Sequence, residues 1–372
     1  MRKFSLKNYM KKAALALLII ALIIPQSACK SNGQNASANR GISKTGFYLD
    51  TICTITIYGM EDRDGRLAAM SDEELKKECY LVITDAFKVC TEYENLLSKT
   101  VEGSDIDRIN SAGGKPVTVS DETIGVIKRG IRFGELSGGA FDITIGKATD
   151  LWDFHDDAET GHEGGTIPSE KALKEAVSHV DYRNIEIEGN EIRLTDPETE
   201  INLGGIAKGY IADKLAEYLE SRGVVSAIVD LGGNIVALGG KSAQLVITGD
   251  ETEFRVGIKN PKAEDGSLLG IVPCKDRTVV TSGTYERYFE KDGVKYHHIL
   301  DVKTGYPVDR SVLSVTVIAA RGSSADCDGL STACLALGVE KGMALVKSLD
   351  GFEAIFVDTD GNVTATSENL ME

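Results

Sequence analysis

Four segments place residue types capable of chemistry at spacings that could bring them to one site. The first is INLGGIAKGYIADKLAEYLESRG, residues 201–223, which reads as a strand entering a Gly-Gly turn and a helix that starts near Ala207. Ile211, Leu215, Tyr218 and Leu219 recur on one helical face, and Gly223 supplies the stop. A helix N-terminus presents unpaired amides and the positive end of a dipole. Gly205 and Gly209 would let an anion approach closely, and Lys208 adds a charge. This is the chemistry of a phosphate site. The spacing is not GxGxxG and the segment holds no Gly-Lys-Ser/Thr, so neither a dinucleotide turn nor a P-loop is supported. A plain strand-to-helix turn with a solvated lysine is the alternative.

The second segment, SSADCDGLSTACLALG (residues 323–338), reads as a helix capped by serine and closed by Gly338. Asp328 and Thr332 are four apart and project from one helical face, where their oxygens could hold one hard cation. An aspartate serving the helix N-terminus beside a solvent-facing threonine fits the same spacing. The third, VVTSGTYERYFEKDGVKYHHILDVKTGYPV (residues 279–308), reads as strand, turn, strand, with a second turn at Asp301–Gly305. Alternation puts Tyr296, His298 and Leu300 on one face and His297 and Ile299 on the other, so one adjacent histidine must face inward. A buried histidine can be a base, or it can simply donate to a carbonyl and pack. The fourth, SGGAFDITIG (residues 137–146), is a Gly-Gly bend carrying Phe141 and Asp142 before a short strand; such a bend can receive a ring or a ribose, or be a plain turn. His155 and His162, in the acidic stretch HDDAETGHE, are irregularly spaced and read as a solvated loop rather than a metal site.

The elements that must position these residues are legible from periodicity. Thr51–Tyr58 alternates as a half-buried strand, and Ser71 with Glu74 forms a capping box that opens a long helix. Leu75, Cys79, Val82, Ile83, Ala86, Val89, Cys90, Tyr93 and Leu97 line one face of that helix as core. A short strand and a second helix, about Asp121–Leu136, follow. Runs such as VVSAIVDLGGNIVAL and QLVITG, with few long helices between them, imply an α+β fold of largely antiparallel sheets with helices packed on one side. No fixed-period repeat is present.

The 372 residues carry 41 Lys and Arg against 57 Asp and Glu, a net charge of -16. Five of the basic residues (Arg2, Lys3, Lys7, Lys11, Lys12) precede residue 29, leaving 36 against 57, or -21, for the remainder. A body so acidic repels a phosphate backbone, and with no local basic patch nucleic acid is set aside as a partner. The basic start, the apolar run Ala13–Ile24 and the small residues before Cys29 have the layout of an export signal, and the run is short for a membrane span. Ser27, Ala28 and Cys29 resemble a lipobox, with Gln26 where an aliphatic residue is usual, which makes Cys29 the candidate lipidation site. Unmodified secretion is the alternative. Three regions are expected: a signal peptide at 1–28, a flexible tether at 29–45 and one domain at 46–368 with a lobe near Leu151–Asp181. The seven cysteines include no CxxC pair and lie in apolar contexts, so buried free thiols are expected rather than disulfides.

Taken in order, the four segments and the lipobox resemble the ApbE family, the FAD:protein FMN transferases, from about Phe47 to Asn362. The resemblance implies an ApbE-like, T-fold-like architecture. It also implies that the enzyme binds FAD and a divalent cation, usually Mg2+, and transfers FMN to a threonine or serine hydroxyl of a target flavoprotein, releasing AMP. By the same resemblance Asp328 and Thr332 are metal ligands with the backbone carbonyl of Ala207. Leu49, Ala140, Phe141, Asp142, Lys208, Asp213, Ser282 and Ile299 contact FAD. His298 is the candidate base with Asp301 nearby, and Lys208 with the helix amides stabilises charge at phosphorus. The implied partner is a membrane-associated or extracellular electron-transfer flavoprotein, met by an enzyme lipid-anchored on the outer face of the cytoplasmic membrane. Three positions depart from the family pattern: Leu49 replaces Met, Thr100 replaces an aromatic residue that can lie against flavin, and DVKTG replaces the Asp-Pro-Arg-Thr-Gly turn. Two rival readings remain at this level: hydrolysis of FAD to FMN and AMP, and a surface lipoprotein that only holds flavin. DGNVTAT (residues 360–366) loosely resembles a flavin-acceptor sequence but reads as a hairpin turn and strand.

Overall fold

The structure is a computed structural model that describes residues 41–154, 165–247, 249, 251–263 and 265–372. The expected signal peptide, Cys29, His155 and His162 lie outside the described residues. Folded structure begins earlier than the tether reading placed it, because β1 (Ile42–Tyr48) pairs with β2 (Thr51–Met60) from Ile42 onward. The alternating inward side chains explain this. Tyr48 stacks on Phe87 at 4.7 Å, and the Lys44 ammonium donates to Thr84 Oγ1 at 3.0 Å.

The central element is an eight-stranded sheet whose neighbours are all antiparallel. After β1 and β2 come β3 (Val224–Leu231) and β4 (Asn234–Leu238), joined by a Gly232-Gly233 turn. The chain then makes a separate hairpin, β5 (Phe254–Lys259) with β6 (Leu268–Cys274), before returning as β7 (Arg277–Gly283) beside β4. A second hairpin, β8 (Tyr288–Lys291) with β9 (Val294–His297), precedes β10 (Val312–Ala320), β11 (Glu353–Asp358) and β12 (Val363–Ala365), which complete the order β1-β2-β3-β4-β7-β10-β11-β12.

Period-two alternation sorts the sheet into two faces. Ile55, Val229, Val236, Val280, Val317 and Phe356 belong to the larger core, which they share with the helices. Those helices are α1 (Asp72–Leu97), α2 (Asp105–Asn110), α3 (Asp121–Leu136), α4 (Gly146–Asp150), α5 (Glu170–Val177), α6 (Ala207–Ser221), α7 (Ser324–Leu337) and α8 (Val339–Lys347). On the opposite face, Ala237, Val279, Ile318 and Ile355 pack under Phe254, Val256 and Val272 of the β5–β6 hairpin. The helices thus occupy one side of the sheet, as expected, and a β-hairpin shields much of the other.

Helix α1 opens with the expected capping box, Ser71 and Glu74 each satisfying the other's backbone. Its buried stripe includes Phe87, whereas Val89 and Tyr93 sit half-exposed at its rim. Three expected strands are absent. Residues 201–203 run as irregular chain, the described residues of QLVITG make a single bridge, Val246 to Met60, and the chain after Asp142 turns straight into α4. In the last case the Asp142 carboxylate accepts from its own neighbour's N–H, Thr144 at 2.8 Å, which curls the backbone away from extension.

A smaller core joins Trp152 and Leu173 to Phe289 and Leu300, and Trp152 Nε1 donates to the Gly305 carbonyl at 2.8 Å, fixing the Asp301–Gly305 turn. DGNVTAT forms a turn and strand β12, as read. Cys53, Cys79, Cys90, Cys274, Cys327 and Cys334 are all free and buried. No described helix is long and apolar enough to cross a membrane.

Candidate active site

The site lies where the N-terminal ends of α6 and α7 meet at the ends of β4 and β7. Each helix begins at a residue whose side chain does not cap it. Ile206 precedes α6 and has no acceptor, and the hydroxyl of Ser323 makes no capping bond to α7, contrary to expectation. Each is capped instead by an aspartate of the other. Asp328 of α7 accepts from the Gly209 N–H at 2.9 Å, and Asp213 of α6 accepts from the Ser324 and Ala325 N–H groups at 3.1 and 3.0 Å. The exchange requires the helices to touch, and Gly209 is where they do: a Cβ there would stand 2.2 Å from the Ser324 carbonyl oxygen and 2.7 Å from Asp328 Cβ.

Around this crossing three of the sequence segments converge. Thr332, one turn beyond Asp328, places Oγ1 3.2 Å from Ser282 Oγ at the end of β7, and Ser282 also meets Ser331 Oγ at 2.8 Å. A Cβ on Gly205 would lie 3.0 Å from the Phe141 ring and 3.5 Å from the Thr332 methyl, so the Gly-Gly bend, the α6 entry and α7 share one surface. Lys208 is half-exposed, with its ammonium 3.5 Å from the Gly204 carbonyl. It is a free cation in the first turn of α6.

The adjacent histidines have divided fates. His297 ends β9, is buried, and places Nε2 3.1 Å from the Val308 carbonyl; burial pushes its pKa down to about 4, so it packs as a neutral ring. His298 lies just beyond the strand and is half-exposed. Its Nδ1 is 3.1 Å from the Arg287 carbonyl. A carbonyl can only accept, so Nδ1 carries the proton and Nε2 keeps a lone pair. Burial, then the charges of Arg287 and Lys208, hold the His298 pKa well below the ordinary imidazole value of 6.5.

Several residues read as FAD contacts have structural partners here. The Asp142 carboxylate is occupied by Thr144 and by the Tyr182 N–H at 2.8 Å, and Asp213 by its two cap bonds; burial raises both pKa values, that of Asp213 to about 6. Ala140 borders the same bend, half-buried, and buried Ile299 takes the Val308 N–H on its carbonyl at 2.9 Å. Leu49 occupies the β1–β2 turn with φ 55°, its N–H on Glu94 Oε1 at 3.2 Å. Asp301 pairs with Arg310 at 2.8 Å, which leaves His298 the freer base. Glu286, between β7 and β8, was missed in the sequence. Its carboxyl feels Lys208, Arg287, Asp328 and Lys259, and burial raises its pKa to about 7. Nothing local in GTYERY marks it, because only the tertiary fold carries it to α6.

Fold and site together define an α+β protein with a lysine, a carboxylate and a hydroxyl gathered at a helix N-terminus, a class suited to phosphate and a hard cation. Residues 49–356 match the model of the ApbE family, and the chain belongs to that family. It is similar to the FAD:protein FMN transferase of Treponema pallidum (strain Nichols), at 34% identity over 337 residues covering 88% of this chain and 87% of that protein. A second relative is the FAD:protein FMN transferase of Klebsiella pneumoniae (strain 342), at 35% identity over 76% of this chain and 83% of that one. Among solved structures, the ApbE protein of Thermotoga maritima superposes with a TM-score of 0.72 at 29% identity, covering 88% of this chain and 97% of that one. The flavin transferase ApbE from Vibrio cholerae gives 0.70 at 28% identity, with the same coverages. The α+β reading therefore holds.

The helix crossing yields a direct prediction. Gly209→Ala forces a methyl against backbone, and unfolding in urea is expected to show a loss of about 1–3 kcal/mol. Unchanged stability would mean that the helices are not in contact there.

Proposed function

We propose that the protein transfers FMN from FAD to the hydroxyl of a threonine or serine in a target flavoprotein, releasing AMP. The observation that carries this reading is the convergence of Lys208, Asp328, Thr332 and Ser282 at the α6 N-terminus in a chain of the ApbE family. The positive end of the α6 dipole and the Lys208 ammonium favour a diphosphate at this point, despite the protein's acidic surface.

The donor set fits a hard divalent cation such as Mg2+. Asp328 spends one oxygen on Gly209 and has another to offer, and Thr332 adds a hydroxyl and Ala207 a backbone carbonyl. Among the described residues no group of three or more His, Cys, Asp or Glu could hold a metal, so the ligands offered at this site are oxygens. A cation held by Asp328, Thr332 and Ala207 would polarise phosphoryl oxygens and neutralise charge on the departing nucleotide.

His298 Nε2 accepts the proton of the acceptor hydroxyl. The hydroxyl oxygen forms a bond to the FMN phosphorus while the bond from that phosphorus to the bridging oxygen breaks, and AMP leaves with the electron pair. Lys208 and the positive end of the α6 dipole stabilise the charge that gathers on the phosphoryl oxygens. Phe141, Ala140, Ile299 and Leu49 supply apolar surface for the flavin and adenine, while Asp142 and Asp213 hold the backbone that presents these contacts. We also read Cys29 as lipidated, which would anchor the enzyme to the outer face of the cytoplasmic membrane near electron-transfer flavoproteins.

Three outcomes are expected. With FAD, Mg2+ and an acceptor flavoprotein, in-gel fluorescence should appear on the acceptor, and both a chelator and Asp328→Asn, which keeps an acceptor for the Gly209 N–H but loses the charge, should abolish it with the fold retained; free FMN without labelled protein would indicate hydrolysis instead. Because His298 is neutral down to a pH well below 6.5, the rate should hold as pH falls through 6.5 and drop only at lower pH, where the ring gains a proton. An acid limb at or above 6.5 would exclude His298 as the base. Finally, Cys29→Ser should move the protein from the membrane fraction to the soluble fraction; retention in the membrane would argue against a lipid anchor.

A further inference from the structure

Beside Gly233 stands one buried acceptor for which the protein provides no donor, and a partly buried carboxyl lies across the glycine from it. The Asn234 side-chain carbonyl is buried, the residue being 1% exposed, and it has no hydrogen-bond partner. Asn234 opposes Val280 of β7, so alternation turns it toward the helices on the same face as Ser282, the residue that meets Thr332. Across Gly233, the Glu286 carboxyl lies close enough that a Cβ on the glycine would stand 3.8 Å from Oε1. Gly233 has φ +93°, and its missing side chain leaves open the approach to both groups.

A buried acceptor without a donor is destabilising, and the Asn234 carbonyl, with the Glu286 carboxyl across the same glycine, points to a ligand that brings donors. A phosphate is also an acceptor and would be repelled by Glu286. The proposed phosphate site is nonetheless on the same face, since Asn234 opposes Val280, two residues before the Ser282 that meets Thr332, and the positive charges of Lys208, Arg287 and Lys259 bear on Glu286. What belongs here is a neutral, donor-rich group covalently next to a diphosphate. In FAD that description fits the hydroxyls of the ribityl chain on one side and of the ribose on the other.

We propose that Glu286 and Asn234 form a subsite for sugar hydroxyls flanking the diphosphate, a reading that rests on FAD being the substrate. The carboxylate accepts from one hydroxyl in a charge-assisted bond, and the amide carbonyl from a neighbouring one. Lys208 remains free for phosphate.

Titration calorimetry on the full chain with Mg2+ tests this, using FAD, ADP, FMN and inorganic pyrophosphate as probes and thermal melts to confirm folding. Glu286→Ala should weaken FAD binding about tenfold, and Glu286→Gln, which keeps a carbonyl acceptor, about threefold. Pyrophosphate should bind either variant as tightly as wild type or more so, because a negative charge near Lys208 has gone. A loss shared by ADP but not FMN assigns the ribose, and the converse assigns the ribityl chain. Unchanged FAD affinity in Glu286→Ala, or a parallel loss for pyrophosphate, overturns the subsite alone. Wild-type protein that binds no FAD would overturn the functional reading and this subsite with it.

Discussion

Two helices that do not cap themselves, and instead cap each other, set the geometry on which the rest of the site depends. Asp213 and Asp328 each satisfy amides at the start of the opposite helix, and Gly209 removes the one side chain that would keep them apart. Unpaired amides at a buried helix end cost on the order of 1 kcal/mol or more each, so the arrangement stabilises the fold while holding Asp328 in place. Its position is set to within the length of a hydrogen bond, and its second oxygen is left for another partner. A residue proposed to hold a cation is therefore also a structural cap, and the same contact holds Thr332 against Ser282.

Charge explains why this point, on a protein of net charge -16, can receive a diphosphate. Long-range repulsion is screened over about 8 Å in physiological salt, whereas the Lys208 ammonium, at the positive end of α6, acts at contact distance. The acidic groups nearest the crossing are mostly occupied: Asp142 and Asp213 accept from backbone N–H groups, and Asp328 gives one oxygen to Gly209. Burial raises the pKa of Glu286 to about 7, so its negative charge is reduced near neutrality.

The adjacent histidines show how one step along a chain decides chemistry. Both place a ring nitrogen near a backbone carbonyl, and both are held neutral by burial. His297, inside the strand, packs its ring into the core, while His298, just past it, keeps Nε2 clear and feels Lys208 from α6. The sequence alternation required that one face inward, and the alternative of a packed, satisfied histidine describes His297.

Much of this was legible before any coordinates. Periodicity marked α1, α3 and α6, the Ser71–Glu74 capping box and the two strands of VVSAIVDLGGNIVAL, because each is a local pattern of side chains that must share a face. The order of motifs carried the family. Local reasoning failed where a partner came from far along the chain: Ser323 was read as the cap that Asp213 provides, and 201–203 as a strand that remains irregular. Asp213 and Asp142 were read as FAD contacts by resemblance, and only the fold shows that their carboxylates serve backbone amides. Glu286 and Asn234 carried no signal, since their setting is made by β4, β7 and α6 meeting in space. Hydrophobic spacing determines which residues form helices and strands and which faces they bury; how those elements pack decides which polar group each buried donor or acceptor finds.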